Sequence, residues 1–478
     1  MRLKATYIVL AVMVLVTVLG EACKKTRTLT VGGTLTFSAD TLKFDTVFTA
    51  AGSFTNGLVI YNKSDEQVVL SSVKLQHGAA SYFHLNVDGF VGNNVPNLKI
   101  APHDSIYVFA TVNINPGDTL TPFLILDSLV ATLNGRNFYV PFTAYGQNAH
   151  YEISDSITAD IKWKTDKPYV VIHSCVVGPG AVLTIPKGCR VYMHQDARFF
   201  VYGGLVIGGP DCVPGRDSIV IQGDRLDRGY FGHIGYPGEW GGVYLVPGGQ
   251  AYITCAVIEN CGGSTHYWNY GIQPAAIEVD TLAKLWIDHS IVRNSIGYGL
   301  LGLQGSIVAS NCLVHTCGAQ TLGIIKGGFD TITNCTFATY GTAAVSHINN
   351  PTVGILNYLS NGDGTWQPGN LNAVLTNCIV YGSLDSEFYA DSLAGATAVL
   401  VLDHCLFGTG YKIGHFVQTP GCIIGQAPKF TDPLFVNTGS GDFHLQAGSP
   451  AIGVASFVPS GVDLGGKAIG KDLGCYQH

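Results

Sequence analysis

The 478 residues include only 12% charged side chains, 47% hydrophobic ones and a formal net charge of −7. A mildly acidic chain with no basic stripe lacks the cations that nucleic-acid binding requires. The 60 glycines, with abundant Val, Ile, Thr and Tyr, point to β-structure with many tight turns.

In chain order, Arg2 and Lys4 precede the apolar run "TYIVLAVMVLVTVL" (6–19). The run is short of the roughly 20 residues that span a bilayer, and it fits a signal peptide. Ala22 and Cys23 follow. Cys23 resembles the lipidated cysteine of a bacterial lipoprotein signal, although Gly20 and Glu21 stand where such signals usually carry Leu and a small residue. The resemblance implies removal of residues 1–22 and lipid chains on Cys23. These would hold the mature protein at a membrane without a spanning helix, at about 0.8 kcal/mol per buried CH₂.

Residues 27–148 alternate apolar and polar positions in runs such as "TLKFDTVF", "QVVLSSVKL" and "NFYVPFTAYG", separated by turn residues. Seven or eight strands are expected, forming an immunoglobulin-like sandwich over 23–149. This domain carries no cysteine after Cys23, so an inter-sheet disulfide is not expected.

The texture changes across "HYEISDSITADIKWKTDKP" (150–168). From there short apolar strands alternate with Gly, Asn and Asp turns, and one motif recurs. Aligned, it places Cys255, Ser290, Cys312, Cys335, Cys378 and Cys405 in one column, at intervals of 35, 22, 23, 43 and 27 residues. The shortest intervals set a repeat of about 22 residues, and the longer ones are the same unit with insertions. A solenoid tolerates insertions that keep its register. The pattern predicts a right-handed parallel β-helix over 150–478, with earlier coils in "AVLTIPKGCRVYMH", "RFFVYGGLVIGG", "DSIVIQGD" and "EWGGVYLVPGGQAYIT". In "ITNCTF", Ile332, Cys335 and Phe337 would face inward and Asn334 would sit at a corner. Asn311, Asn334 and Asn377 would stack and hydrogen-bond through their amides, with His289 and His404 at the same corner of other coils. The cysteines then read as small buried rungs with free thiols. Parallel Cβ vectors at the strand spacing suit a disulfide poorly. No pair or tetrad of zinc spacing occurs, so no metal is expected.

The corner asparagines resemble the asparagine ladder of the pectate-lyase-like β-helix family. "GEWGGVYL" (238–245), "NCIVYGSLDSEF" (377–388), "DPLFVNTGSGDFHLQAGSPAIG" (432–453) and "DLGCYQ" (472–477) resemble coils and the closing segment of Bacteroidetes-type β-helix lipoproteins that carry an Ig-like module. The resemblance implies an all-β envelope protein, placed at the outer membrane and facing the periplasm or the cell surface. It does not settle activity, because this fold hosts lyases, hydrolases and non-catalytic binders.

A lyase of this family would need an Arg or Lys base and often Ca²⁺ on carboxylates. A hydrolase would need two or three carboxylates in one groove. The candidates are sparse. Asp385 and Glu387 are two apart and would share a face of a strand. Arg293 lies near Asp288 at a corner, and "GDRLDRG" (223–229) groups Asp224, Arg225, Asp227 and Arg228. Each could equally be a solvated corner or a surface ion pair. Three insertions of similar phase, at 263–275, 343–370 and 384–395, would lie on one flank. They carry Tyr267, Trp268, Tyr270, Tyr358 and Trp366, aromatics beside polar groups that suit sugar faces. The alternative is that these rings pack under their own loops. The expected function is a lipid-anchored protein that binds glycan or an envelope protein without catalysis or cofactor. The alternative is a polysaccharide lyase or glycoside hydrolase, for which alone Ca²⁺ is expected.

Overall fold

The computed structural model describes residues 27–49, 52–114, 123–195, 197–226, 235–263, 272–425 and 431–478. Cys23, Tyr267, Trp268, Tyr270, Asp227 and Arg228 lie outside these. The chain divides into two compact units, Met1–Asn148 and Ala149–His478.

The first unit has two five-stranded sheets that share one apolar core. Strict alternation builds it: in Ser105–Val112, Ile106, Val108, Ala110 and Val112 are buried, while Tyr107 and Phe109 face out. Phe83 of one sheet meets Phe44 and Phe142 of the other at 5.6 and 5.4 Å between ring centroids. Ten strands are present where seven or eight were expected. The run "LKIAPHDSIYVFATVNI" breaks in two at His103, whose φ is 56°, and Phe90–Val91 adds a short hairpin strand.

The second unit is a stack of coils consistent with a parallel β-helix solenoid. One coil shows the plan. Lys284–Asp288 lies in a first ladder, Ile291–Ser295 in a second and Tyr298–Leu303 in a third; Ser306–Ser310 then begins the next coil. All three are parallel to their successors, pairing Lys284 with Ser306, Ile291 with Leu313 and Leu300 with Leu322. Ile332, Cys335 and Phe337 are fully buried, as expected.

The corner between the first and second ladders explains the recurring motif. Cys255, His289, Asn311, Asn334, Asn377 and His404 all have φ between 43° and 54°. Asn and His tolerate this left-handed conformation better than most side chains. The corner column therefore begins at Cys255, and the alignment from sequence is one residue out there. Pairing of Val257 with Ile291 puts Ala256, not Cys255, opposite the rung Ser290. The rung column runs on past Cys405 to Cys422, which lies opposite it.

The rungs do more than fill space. Once the corner has turned, the rung amide reaches the rung side chain of the next coil instead of a backbone carbonyl. Cys312 N donates to Cys335 Sγ at 3.4 Å, Cys378 N to Cys405 Sγ at 3.4 Å and Cys405 N to Cys422 Sγ at 3.3 Å. Ala256 N donates to Ser290 Oγ at 3.1 Å in the same way. Rungs also donate to the carbonyl two residues back: Ser290 Oγ to Asp288 O at 2.8 Å, Cys312 Sγ to Ser310 O at 3.0 Å and Cys335 Sγ to Thr333 O at 3.3 Å. Burial, followed by the neighbouring thiols, pushes the Cys335 and Cys405 thiols well above their ordinary value, which keeps the S–H donor in place. The twelve described cysteines are all free. Ser290 is thus a functional substitute. Cys335→Ser should change stability by less than about 1 kcal/mol. Cys335→Ala strands the Cys312 amide and leaves a void, at a cost of roughly 2–3 kcal/mol. Urea midpoints of the two variants would separate these outcomes, and equal midpoints would reduce the rungs to packing.

The asparagine ladder is partial. Asn377 Nδ2 donates to Asn334 Oδ1 at 3.1 Å, but Asn311 Nδ2 turns to Asp288 Oδ1 at 3.3 Å. A second corner repeats the chemistry. Asn260, Asn294 and Thr316 have φ of 62°, 55° and 57°, and each precedes a buried Cys261, Ser295 or Cys317. Asn294 Nδ2 donates to Asn260 Oδ1 at 2.6 Å.

The segment from 431 onward folds back along the outside of the second ladder. Phe435, Phe443, Leu445, Leu464 and Leu473 bury Leu313, Ala338, Ile379 and Leu406, which face outward there. His289 Nε2 holds Val462 O at 2.7 Å, and Cys475 N donates to Thr336 Oγ1 at 3.1 Å. The segment is a strap over the flank of the solenoid.

Candidate functional site

The carboxylates named from sequence do not converge. Asp385 and Glu387 lie in a bend between strands, not on one strand face. Asp385 is exposed, whereas Glu387 is buried and fully engaged. Its oxygens accept from Thr352 Oγ1 at 2.6 Å, Thr352 N at 3.0 Å and Leu384 N at 2.6 Å, and both lie 3.1 Å from His347 Nε2. His347 is equally buried, so the pair pins the loop before Val353 to the coil. Gly382 is needed beside it, because a Cβ there would lie 2.2 Å from Glu387 Oε1. Arg293 pairs with Glu259, its coil neighbour, at 2.7 Å through both Nε and Nη2. Asp288 instead takes His289 Nδ1 at 2.5 Å and Ser310 Oγ at 2.6 Å. Asp224 lies 2.5 Å from His194 Nδ1. Among the described residues no three His, Cys, Asp or Glu side chains gather to hold a metal ion.

The insertions also divide. The stretch 343–370 is two loops, one before the third-ladder strand Val353–Leu356 and one after it. The second loop carries a hairpin, Tyr358–Ser360 against Trp366–Pro368. Tyr267, Trp268 and Tyr270 fall between Ala256–Glu259 and Ala275–Val279, strands of the second and third ladders. All three insertions begin after second-ladder strands, as their similar phase implied, but the Tyr358–Trp366 hairpin follows a third-ladder strand, so the named aromatics do not all fall at one turn of the coil.

What the fold does assemble is an aromatic chain around Asp391. Tyr358 and Trp366 meet edge to face at 5.1 Å and 88° across the hairpin. In the next coil Phe388 and Ala390 point inward from the strand Phe388–Asp391, which leaves Tyr389 and Asp391 outward. Tyr358 Oη donates to Asp391 Oδ2 at 2.8 Å and Tyr389 Oη reaches the same oxygen at 3.4 Å. Ser392 N donates to Oδ1 at 2.9 Å. Tyr389 packs edge to face with Tyr411 at 4.9 Å and 67°. Burial, and then the Asp391 carboxylate, hold both the Tyr358 and Tyr389 phenols above their usual value, so both stay hydroxyl donors. The chain ends in two open rings, Trp366 at 50% and Tyr411 at 52% exposure.

Local hydrogen bonds hold the hairpin. Gly362 and Gly364 take φ of 80° and 85° at its tip, and Asn361 N donates to Thr365 O at 3.0 Å. At its base Asn357 exchanges bonds with Leu393, Nδ2 to O at 3.0 Å and N to Oδ1 at 2.6 Å. Tyr358 and Trp366 were legible in the sequence. Tyr389, Asp391 and Tyr411 were missed, although the alternation in "FYAD" was a signal once a strand is placed at 388–391.

No family model matches the chain, and no curated protein is similar to it. Among solved structures, a family 123 glycoside hydrolase from Clostridium perfringens aligns at 9% identity and a TM-score of 0.18, over 24% of this chain and 26% of that one. The Salmonella enterica SafA pilin in complex with the SafB chaperone aligns at 12% identity and a TM-score of 0.17, over 26% of this chain and 58% of that one. Likenesses of this size carry no inference about function. Among the described residues no helix is long and apolar enough to cross a membrane.

Proposed function

We propose that this chain is a non-catalytic, glycan-binding protein of the bacterial cell envelope. It is lipidated on Cys23, with an Ig-like module at 23–149 supporting a right-handed parallel β-helix at 150–478, and it sits at the outer membrane facing the periplasm or the surface. The observation that carries the binding reading is the pair of open rings, Trp366 and Tyr411, joined through Tyr358, Asp391 and Tyr389. Aromatic rings beside fixed polar groups are what a sugar ring requires: a flat apolar surface for its C–H face and acceptors for its hydroxyls. Against catalysis stand the engagement of Glu387 by His347 and Thr352 and of Arg293 by Glu259.

Affinity gels with a panel of neutral and uronate-containing polysaccharides, run beside an assay for cleaved product, test the proposal. Retention without cleavage is expected, and Trp366→Ala should weaken it about tenfold, the size of one lost aromatic contact. Cleavage of any polymer would overturn the non-catalytic reading. Retention unmoved by Trp366→Ala would move the site elsewhere.

A further inference from the structure

We infer that the glycan held at this site has no acidic sugars: Asp391 selects neutral chains and rejects polyuronates. The inference rests on the glycan-binding reading and narrows its ligand. Asp391 stands in the middle of the aromatic chain, bonded to Tyr358, the neighbour of Trp366, and to Tyr389, the neighbour of Tyr411. Its carboxylate is partly desolvated and tied on both oxygens, Oδ2 by Tyr358 and Tyr389 and Oδ1 by Ser392. It cannot swing away from an incoming carboxylate without giving up these bonds.

The chain around it offers little to compensate a polyanion. Between Lys326 and Lys412 there is no lysine or arginine, while Asp363, Asp385, Asp391 and Asp403 are carboxylates outside the buried core. Lys326 N donates to Tyr358 O at 3.2 Å, and Lys412 follows Tyr411; Asp391 itself takes its hydrogen bonds from Tyr358, Tyr389 and Ser392. A polyuronate carries a charge on every residue and would need a cation or a bound metal opposite its central sugars. A neutral sugar needs only ring faces and hydroxyl acceptors, which Trp366, Tyr411 and the Asp391 oxygens supply.

The full chain is tested by retention on a mixed-linkage β-glucan, a galactomannan and polygalacturonate at low ionic strength, where charge effects are least screened. Wild type is expected to bind a neutral polymer about tenfold or more tightly than polygalacturonate. Asp391→Asn keeps an acceptor for the tyrosines and should narrow that gap, chiefly by improving polygalacturonate binding. Asp65→Asn, which removes an exposed charge in the first unit, should leave the gap unchanged. Polygalacturonate binding as tight as neutral binding, or an identical gap in Asp391→Asn, overturns this inference and leaves the glycan-binding reading standing. Absence of retention on every polymer removes both.

Discussion

Asp330→Asn is expected to remove roughly 4 kcal/mol from the fall in stability that the wild-type solenoid shows as pH rises from about 4 to about 7. Asp330 is an acid inside the core. The strand Gly328–Thr333 alternates so that Asp330 and Ile332 point inward, and Asp330 lies in register with Ala373 and, one coil further, Leu400. It is 3% exposed. Its Oδ1 accepts the Ile307 amide at 2.9 Å, which is its structural purpose, while Oδ2 has no partner. Burial pushes its carboxyl up from 3.8 to about 7, against the lowering effect of the Ile307 amide. The folded state therefore holds a proton that the unfolded state gives up near pH 4. The stabilisation is fully present below the unfolded value and is lost as pH rises through the folded one. About three pH units correspond to roughly 4 kcal/mol. Asparagine keeps the acceptor for Ile307 and replaces the O–H with an N–H that never ionises, so position 330 should contribute nothing to the variant's pH dependence over the same window. Urea midpoints of both proteins at about pH 4, 5.5 and 7 measure the difference. Glu278, raised to about 8 by burial, and Glu152, raised to about 7 chiefly by burial, titrate in both proteins and cancel. Parallel curves for the two proteins would refute the account.

Asn377→Ala should cost roughly 3–5 kcal/mol, far more than an ordinary surface asparagine, and should loosen the strap. One side chain serves three parts of the fold here. Nδ2 donates to Asn334 Oδ1 at 3.1 Å and to Phe457 O at 3.2 Å, and Oδ1 accepts from Ser456 N at 2.9 Å and Ser456 Oγ at 3.1 Å. The corner φ of 54° adds a backbone penalty for alanine of about 1–2 kcal/mol. Asn377→Gly isolates the two contributions. Glycine removes the bonds but accepts the left-handed backbone, so it should recover about 1 kcal/mol of the loss. Hydrogen exchange of the strap amides, Gly474 N among them since it donates to Asn377 O at 2.8 Å, should quicken in both variants. Slow exchange together with a normal midpoint would show that the apolar contacts of Phe443 and Leu464 hold the strap unaided.

The repeat was legible because a solenoid writes its long-range contacts as a period. Residues about 22 apart become neighbours, so "SNC" and "TNC" announce a stack before any pairing is known. The role of the motif was only half legible. Composition shows a small polar-tolerant residue after an asparagine, but the left-handed φ at Asn334 and the amide that Cys335 Sγ accepts depend on how one coil meets the next. The same limit explains the slip at Cys255. Both it and Ala256 are small, and only the pairing of Val257 with Ile291 decides which one is the rung.

The amino-acid sequence alone determined the all-β class, the repeat length, the inward face of each coil and the aromatic character of the Tyr358–Trp366 loop. All of these are periodicity or composition, properties carried by residues near one another in the chain. The tertiary structure decided that Glu387 is a buried partner of His347. It also decided that the last segment lies along a flank, and that Asp391 joins two aromatic pairs from different coils. Each of these depends on which insertions meet across a corner. Insertions are the parts of a solenoid that break its period, so their neighbours are not written in the repeat.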